Sequence, residues 1–106
     1  MESLIFYGGS CEKGKQEIQL EYYLVEESVS SQYTDMIRYG IRAVQTVIYP
    51  GGGKTVDMKQ LNNVFYKRED ADEFMKSIIK KRIIPDRLNN YVESYITSRI
   101  HDAVCV

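Results

Sequence analysis

From Ile18 the chain settles into alternation. Ile18, Leu20, Tyr22 and Leu24 interleave with Gln19, Glu21, Tyr23 and Val25, the period of two that a half-buried strand requires. Residues 28–35 are polar and predict a loop. A second strand follows, with Ile37, Tyr39, Ile41, Ala43, Val47 and Tyr49 on one face and Arg38, Gly40, Arg42, Val44 and Thr46 on the other. Gly40 within it predicts a bulge or a close backbone approach. Pro50, three glycines and Lys54 mark a turn, and residues 55–66 return as a third strand. Val56 and Met58 are in phase there, whereas Leu61 and Phe65 are out of phase with them, so Asn62 and Asn63 are expected to break the strand or to place a bulge.

The last 40 residues change period. Ala71, Phe74, Met75, Ile78 and Ile79 recur at three- and four-residue steps, one apolar stripe of a helix. Asp70 and Glu73 have the spacing of a capping box at its start. Glu69, Asp70, Asp72 and Glu73 crowd its first turn and Lys80, Lys81 and Arg82 its last, the order that suits the helix dipole. Pro85 suits the first turn of a second helix, on which Ile84, Leu88, Tyr91, Val92, Tyr95, Ile96 and Ile100 cover two adjacent rows. The fold class that follows is α+β: an antiparallel meander of three or four strands with two C-terminal helices packed on one face, the face of Ile37, Tyr39 and Ile41. Residues 17–100 make one domain. Residues 1–16, with Gly8, Gly9 and Gly14 among charges, are either a loose tail or an irregular edge strand, and residues 101–106 are expected to fray.

At 106 residues, 43% hydrophobic and 27% charged, the chain has the size and composition of one folded domain. Fourteen basic against fifteen acidic side chains argue against a general polyanion binder. The charge is uneven along the chain: residues 1–31 carry six acids and two bases, residues 32–66 two acids and four bases. Cys11 and Cys105 have no metal-ligand or disulfide-framework spacing. They are expected as free thiols, with a bridge between the two tails left open. The apolar run Leu4 to Tyr7 is too short for a signal peptide and no segment is long enough to span a membrane, so the cytoplasm is the expected location.

Candidate chemistry is thin. Gly51, Gly52, Gly53, Lys54 and Thr55 resemble the end of a phosphate-binding loop, but the first glycine of that pattern is replaced by Ile48 and the segment after it alternates as a strand; a hairpin turn is the better reading. His101, Asp102 and Cys105 lack a supporting cluster for nucleophilic or metal chemistry. Glu26 and Glu27, adjacent on a strand, point to opposite faces. No catalytic, cofactor or metal site is nominated. Two binding readings remain. The width of the second helical stripe nominates Leu88, Tyr91, Tyr95 and Ile96 as a surface for a protein partner or a second copy. Alternatively, Lys76, Lys80, Lys81, Arg82 and Arg87 would contact nucleic-acid phosphates.

The segment VFYKREDADEFMKSIIKKRIIPDRLNNYVESYI, residues 64–96, resembles a family of small uncharacterised bacterial proteins. These carry an LEYYLVEE-like first strand, a Tyr-Gly-Ile matching Tyr39, Gly40 and Ile41, and an apolar-Pro-x-x-Leu opening of the last helix matching Ile84, Pro85 and Leu88. The resemblance covers residues 20–98. It implies strands followed by two helices and brings no reaction, ligand or partner. The N-terminal stretch and the glycine-rich turn depart from the family's pattern.

Overall fold

The computed structural model describes residues 2–30 and 35–104, with the backbone alone at positions 29, 35 and 100–104. Four strands, β1 (Glu2–Lys13), β2 (Glu17–Ser30), β3 (Asp35–Ile48) and β4 (Lys54–Phe65), precede two helices, α1 (Arg68–Lys81) and α2 (Pro85–Val104). The strands pair in chain order, each antiparallel to the next. This is the α+β meander with two C-terminal helices that the alternation predicts, with four strands. The segment of residues 1–16 contributes β1 at the sheet edge, with a register shift between Phe6 and Gly8. Of the tail expected at 101–106, α2 includes residues up to Val104, and residues 105 and 106 lie outside the described residues.

Both helices lie on the sheet face carrying Leu20, Tyr22, Leu24, Ile41 and Ala43. These join Phe65, Ala71, Phe74, Met75, Ile78, Leu88 and Val92 in one core. Tyr22 is the largest side chain wholly inside it. Its hydroxyl donates to the Ile83 carbonyl at 3.0 Å, and burial pushes its pKa up to about 12. Ile41 is fully buried and Tyr39 partly so, but Ile37, expected on the covered face, remains 46% exposed. The reason is length. The fourteen residues of β3 run for about 46 Å at ~3.3 Å per residue, while the fourteen of α1 extend only about 21 Å. The sheet therefore outreaches the helices.

Two local expectations are corrected, and a third is decided between its two alternatives. The polar segment 28–35 is not a loop throughout, because Ser28, Val29 and Ser30 pair with Ile37, Met36 and Asp35; a ladder at an exposed sheet end satisfies its backbone whatever its side chains. Residues 31–34 lie outside the described residues. Helix α1 starts at Arg68 with Lys67 as N-cap, three residues before the expected cap at Asp70, and with no side-chain cap. The acids Asp70 and Glu73 turn instead to Arg99 on α2, at 3.3 and 3.0 Å. The irregularity near Asn62 and Asn63 is a bulge rather than a break. Tyr39 pairs with Phe65 and Ile41 with Leu61, so Gly40 alone faces three residues of β4, and Asn63 takes a positive φ of 59°.

The glycine-rich segment is a hairpin turn. The Gly52 amide donates to the Tyr49 carbonyl at 2.9 Å and the Tyr49 amide to the Gly53 carbonyl at 2.8 Å. Pro50 takes the second turn position, and Gly52 has the positive φ of 94° that closes such loops. Helix α1 ends with Arg82 in the left-handed region. The Ile83 amide donates to the Ile78 carbonyl and that of Arg82 to Ile79, a Schellman closure made without glycine.

Candidate functional site

The side chains nominated on α2 share an aromatic cluster with α1. Leu88 is fully buried. Val92 is nearly so, whereas Tyr91, Tyr95 and Ile96 are partly buried against the core. Phe74 lies 5.6 Å from the Tyr91 ring and 5.0 Å from that of Tyr95, while Phe65 lies 6.4 Å from Tyr95. Tyr91 also hydrogen-bonds Ser77 of α1. The double stripe on α2 thus serves two neighbours, the sheet and α1, which accounts for its width.

Of the five nominated bases, Lys80, Lys81, Arg82 and Arg87 lie around the α1–α2 junction, and Lys76 lies mid-way along α1. Arg82 pairs with Glu12 at 2.6 Å and the Lys81 ammonium sits 5.2 Å from the Tyr91 ring centroid, so two of them have contacts within the chain. Lys76, Lys80 and Arg87 are exposed. Phosphate contact would therefore draw on a cluster already partly engaged in tying α1 to β1 and α2.

Several polar clusters have structural geometry. Tyr7 donates to Asp72, which also accepts from Arg68 at 2.9 Å, and Arg68 lies 3.8 Å from Glu26. The Tyr7 hydrogen bond, with help from Arg68, holds the Asp72 carboxyl below the usual range, and burial with the Asp72 bond pushes the Tyr7 hydroxyl up. The group ties β1 and β2 to α1. The exposed Cys11 thiol donates to Glu17 at 3.4 Å; desolvation and that carboxylate raise its pKa, the opposite of nucleophile activation. His101, Asp102 and Cys105 fall where side chains lie outside the described residues. Among the described residues no three metal-ligating side chains converge, and no helix is long and apolar enough to cross a membrane.

The feature that sequence reasoning missed is the other face of the sheet. The registers place Leu4, Phe6, Tyr23, Val25, Arg42, Val44, Val56, Met58 and Gln60 away from the helices. Phe6 is 59% exposed, and Val56 and Met58 are 57% exposed each; Leu4 and Met36 are also open. One end of this face is strapped by polar groups. Arg42 Nε donates to Gln60 at 2.6 Å, and the Gln60 amide donates to Glu2 at 2.7 Å and to Asn62 at 2.8 Å. Phe6 meets Tyr23 edge-on at 5.4 Å, and Arg38 stacks 4.0 Å from the Tyr66 ring centroid. An open hollow of about 310 Å³ is lined by Gly9, Ser10, Cys11, Gln19, Leu20 and Glu21. It holds no pairing of nucleophile, base and oxyanion donors. What this face offers is apolar contact area framed by arginines, carboxylates and tyrosines, the composition of a contact surface. The signal in the sequence was apolar residues at both parities of one strand: plain alternation turns Val56 and Met58 to the face opposite Leu61 and Phe65.

The chain belongs to the family of unknown function DUF6514, whose model matches residues 1–98. No curated protein and no solved structure matches it.

Proposed function

We propose that this member of the family is a small protein-binding or regulatory module of the bacterial cytoplasm, without catalysis of its own, and that the uncovered sheet face is where it binds. One observation carries the reading: both helices pack on the same face, leaving Leu4, Phe6, Met36, Val56 and Met58 exposed on or beside the other. Apolar exposure of this kind, grouped and rimmed by charges, marks contact surfaces more often than scattered single residues do. The patch mixes Tyr, Met and Arg, residue types enriched at interfaces, and its aromatic side chains lose little rotamer entropy on contact.

The test is site-specific photocross-linking in living cells. A benzophenone side chain at Phe6 is expected to give an adduct of discrete mass that disappears when Leu4 is changed to lysine. The same group at Asn90, exposed on α2, is expected to give none. No adduct from position 6, or equal adducts from both positions, would refute the reading.

A further inference from the structure

The edges of the sheet are unequal. Strand β1 has a bulge between Phe6 and Gly8, and pairing it antiparallel with another β1 about its middle residue, Tyr7, would set Glu2 against Glu12. Bulges and like charges are the devices by which edge strands resist pairing. Strand β4 has neither over most of its length. Its register with β3 runs without interruption from Lys54 to Leu61, and its outer row of backbone donors and acceptors meets no further strand among the described residues. Residues 51–59 are all exposed.

A second β4 can extend this edge about a two-fold axis normal to the sheet only if residues of the same face stand opposite each other. The two residue numbers of every pair must then sum to an even value. Centring on Asp57 sets two aspartates together, and centring on Lys59 sets two lysines together. Centring on Val56 sets Lys54 against Met58 and Asp57 against Thr55. Centring on Met58 sets Asp57 of each copy against Lys59 of the other, twice, with Met58 against Met58 and Val56 diagonal to Met58 on the uncovered face.

We propose that β4 pairs antiparallel with β4 of a second copy, in the register centred on Met58, joining two four-stranded sheets into one of eight. The partner is identified by self-complementarity: the one face-preserving register that opposes unlike charges also brings together the two most exposed apolar side chains of the edge. The inference rests on the reading of the uncovered face as a contact surface, since Val56 and Met58 belong to both. It adds the occupant and the alignment.

Sedimentation equilibrium on the purified chain tests it. The wild-type protein is expected to show twice the chain mass at micromolar concentration. Lys59→Asp, which leaves two pairs of facing aspartates, is expected to weaken association about tenfold or more. The double variant Asp57→Lys/Lys59→Asp restores unlike pairs and is expected to return to within a few-fold of wild type. Both positions are exposed, and far-ultraviolet circular dichroism confirms that each variant is folded. In a Cys11→Ser/Cys105→Ser background, Met58→Cys is expected to oxidise to a disulfide-linked dimer, because directly opposed Cα atoms lie ~4.5–5.5 Å apart. Val56→Cys is not, because its two copies stand four residues out of register. A monomeric wild type, a double variant that stays dissociated, or a cross-link at 56 without one at 58 overturns the proposal. If position 6 still cross-links to a different protein in cells, the binding reading stands and only the second copy falls.

Discussion

Phe74→Ala is expected to cost the folded state about 4 kcal/mol, within the usual ~3–5 for a buried phenylalanine. Phe74 is fully buried at the point where three elements meet: its ring lies 5.3 Å from Phe65 at the end of β4, and 5.6 and 5.0 Å from Tyr91 and Tyr95 on α2. Removing it takes away the transfer free energy of the ring and leaves a cavity whose walls cannot easily collapse. The Tyr91 hydroxyl is held by Ser77, and that of Tyr95 accepts from Arg99 at 3.0 Å. With total stabilities of domains this size at about 5–15 kcal/mol, the loss is a large share of the whole. Urea denaturation followed by circular dichroism reads it directly, and the melting temperature is expected to fall by about 20 °C. A loss below ~1 kcal/mol would show that α1 and α2 are not joined through this ring.

Gly40→Ala is expected to cost about 3 kcal/mol by a different route, steric conflict rather than lost contact. A Cβ at this position would lie 2.3 Å from the Leu61 carbonyl oxygen and 3.0 Å from the Asn62 Cα, both backbone atoms of the neighbouring strand. Neither can rotate away as a flexible side chain could. Relief requires β4 to retreat around its bulge, and that displaces Phe65, which β4 delivers to the core immediately after it. The same denaturation experiment applies, and a variant as stable as wild type would mean that β4 can shift without disturbing the core.

These two residues show what could be read from the chain and what could not. The glycine inside an alternating strand pointed to the bulge, because a close backbone approach is a local demand. The change of apolar face after Met58 did not, since Met58 and Leu61 fall on opposite faces by ordinary alternation, and the bulge, which adds two residues, comes after Leu61 and leaves the parity unchanged. The stripe of Ala71, Phe74, Met75 and Ile78 likewise named the buried face of α1. The start of that helix was misplaced because Asp70 and Glu73 have a local role by spacing and a distant one by structure: their partner, Arg99, lies 29 and 26 residues away. The same limit applies to Leu88, Tyr91 and Tyr95. Their stripe is visible in sequence, but its division between the sheet and α1 depends on how the helices pack. An alternating strand shows that one face is buried without saying what becomes of the other. That face emerged only when the strand registers aligned Phe6 with Tyr23, and Val44 with Met58.

In the proposed function, one face of the sheet holds the fold together while the other contacts a partner. Hydroxyl-radical footprinting of methionine, read by mass spectrometry, tests it most directly, because Met36 and Met58 are exposed on the uncovered side and Met75 is buried among the helices. In dilute purified protein, Met36 and Met58 are expected to oxidise readily and Met75 hardly at all. Inside intact cells, Met36 and Met58 are expected to be protected several-fold while Met75 is unchanged. Equal oxidation of Met36 and Met58 in cells and in dilute solution would show that nothing covers this face of the sheet.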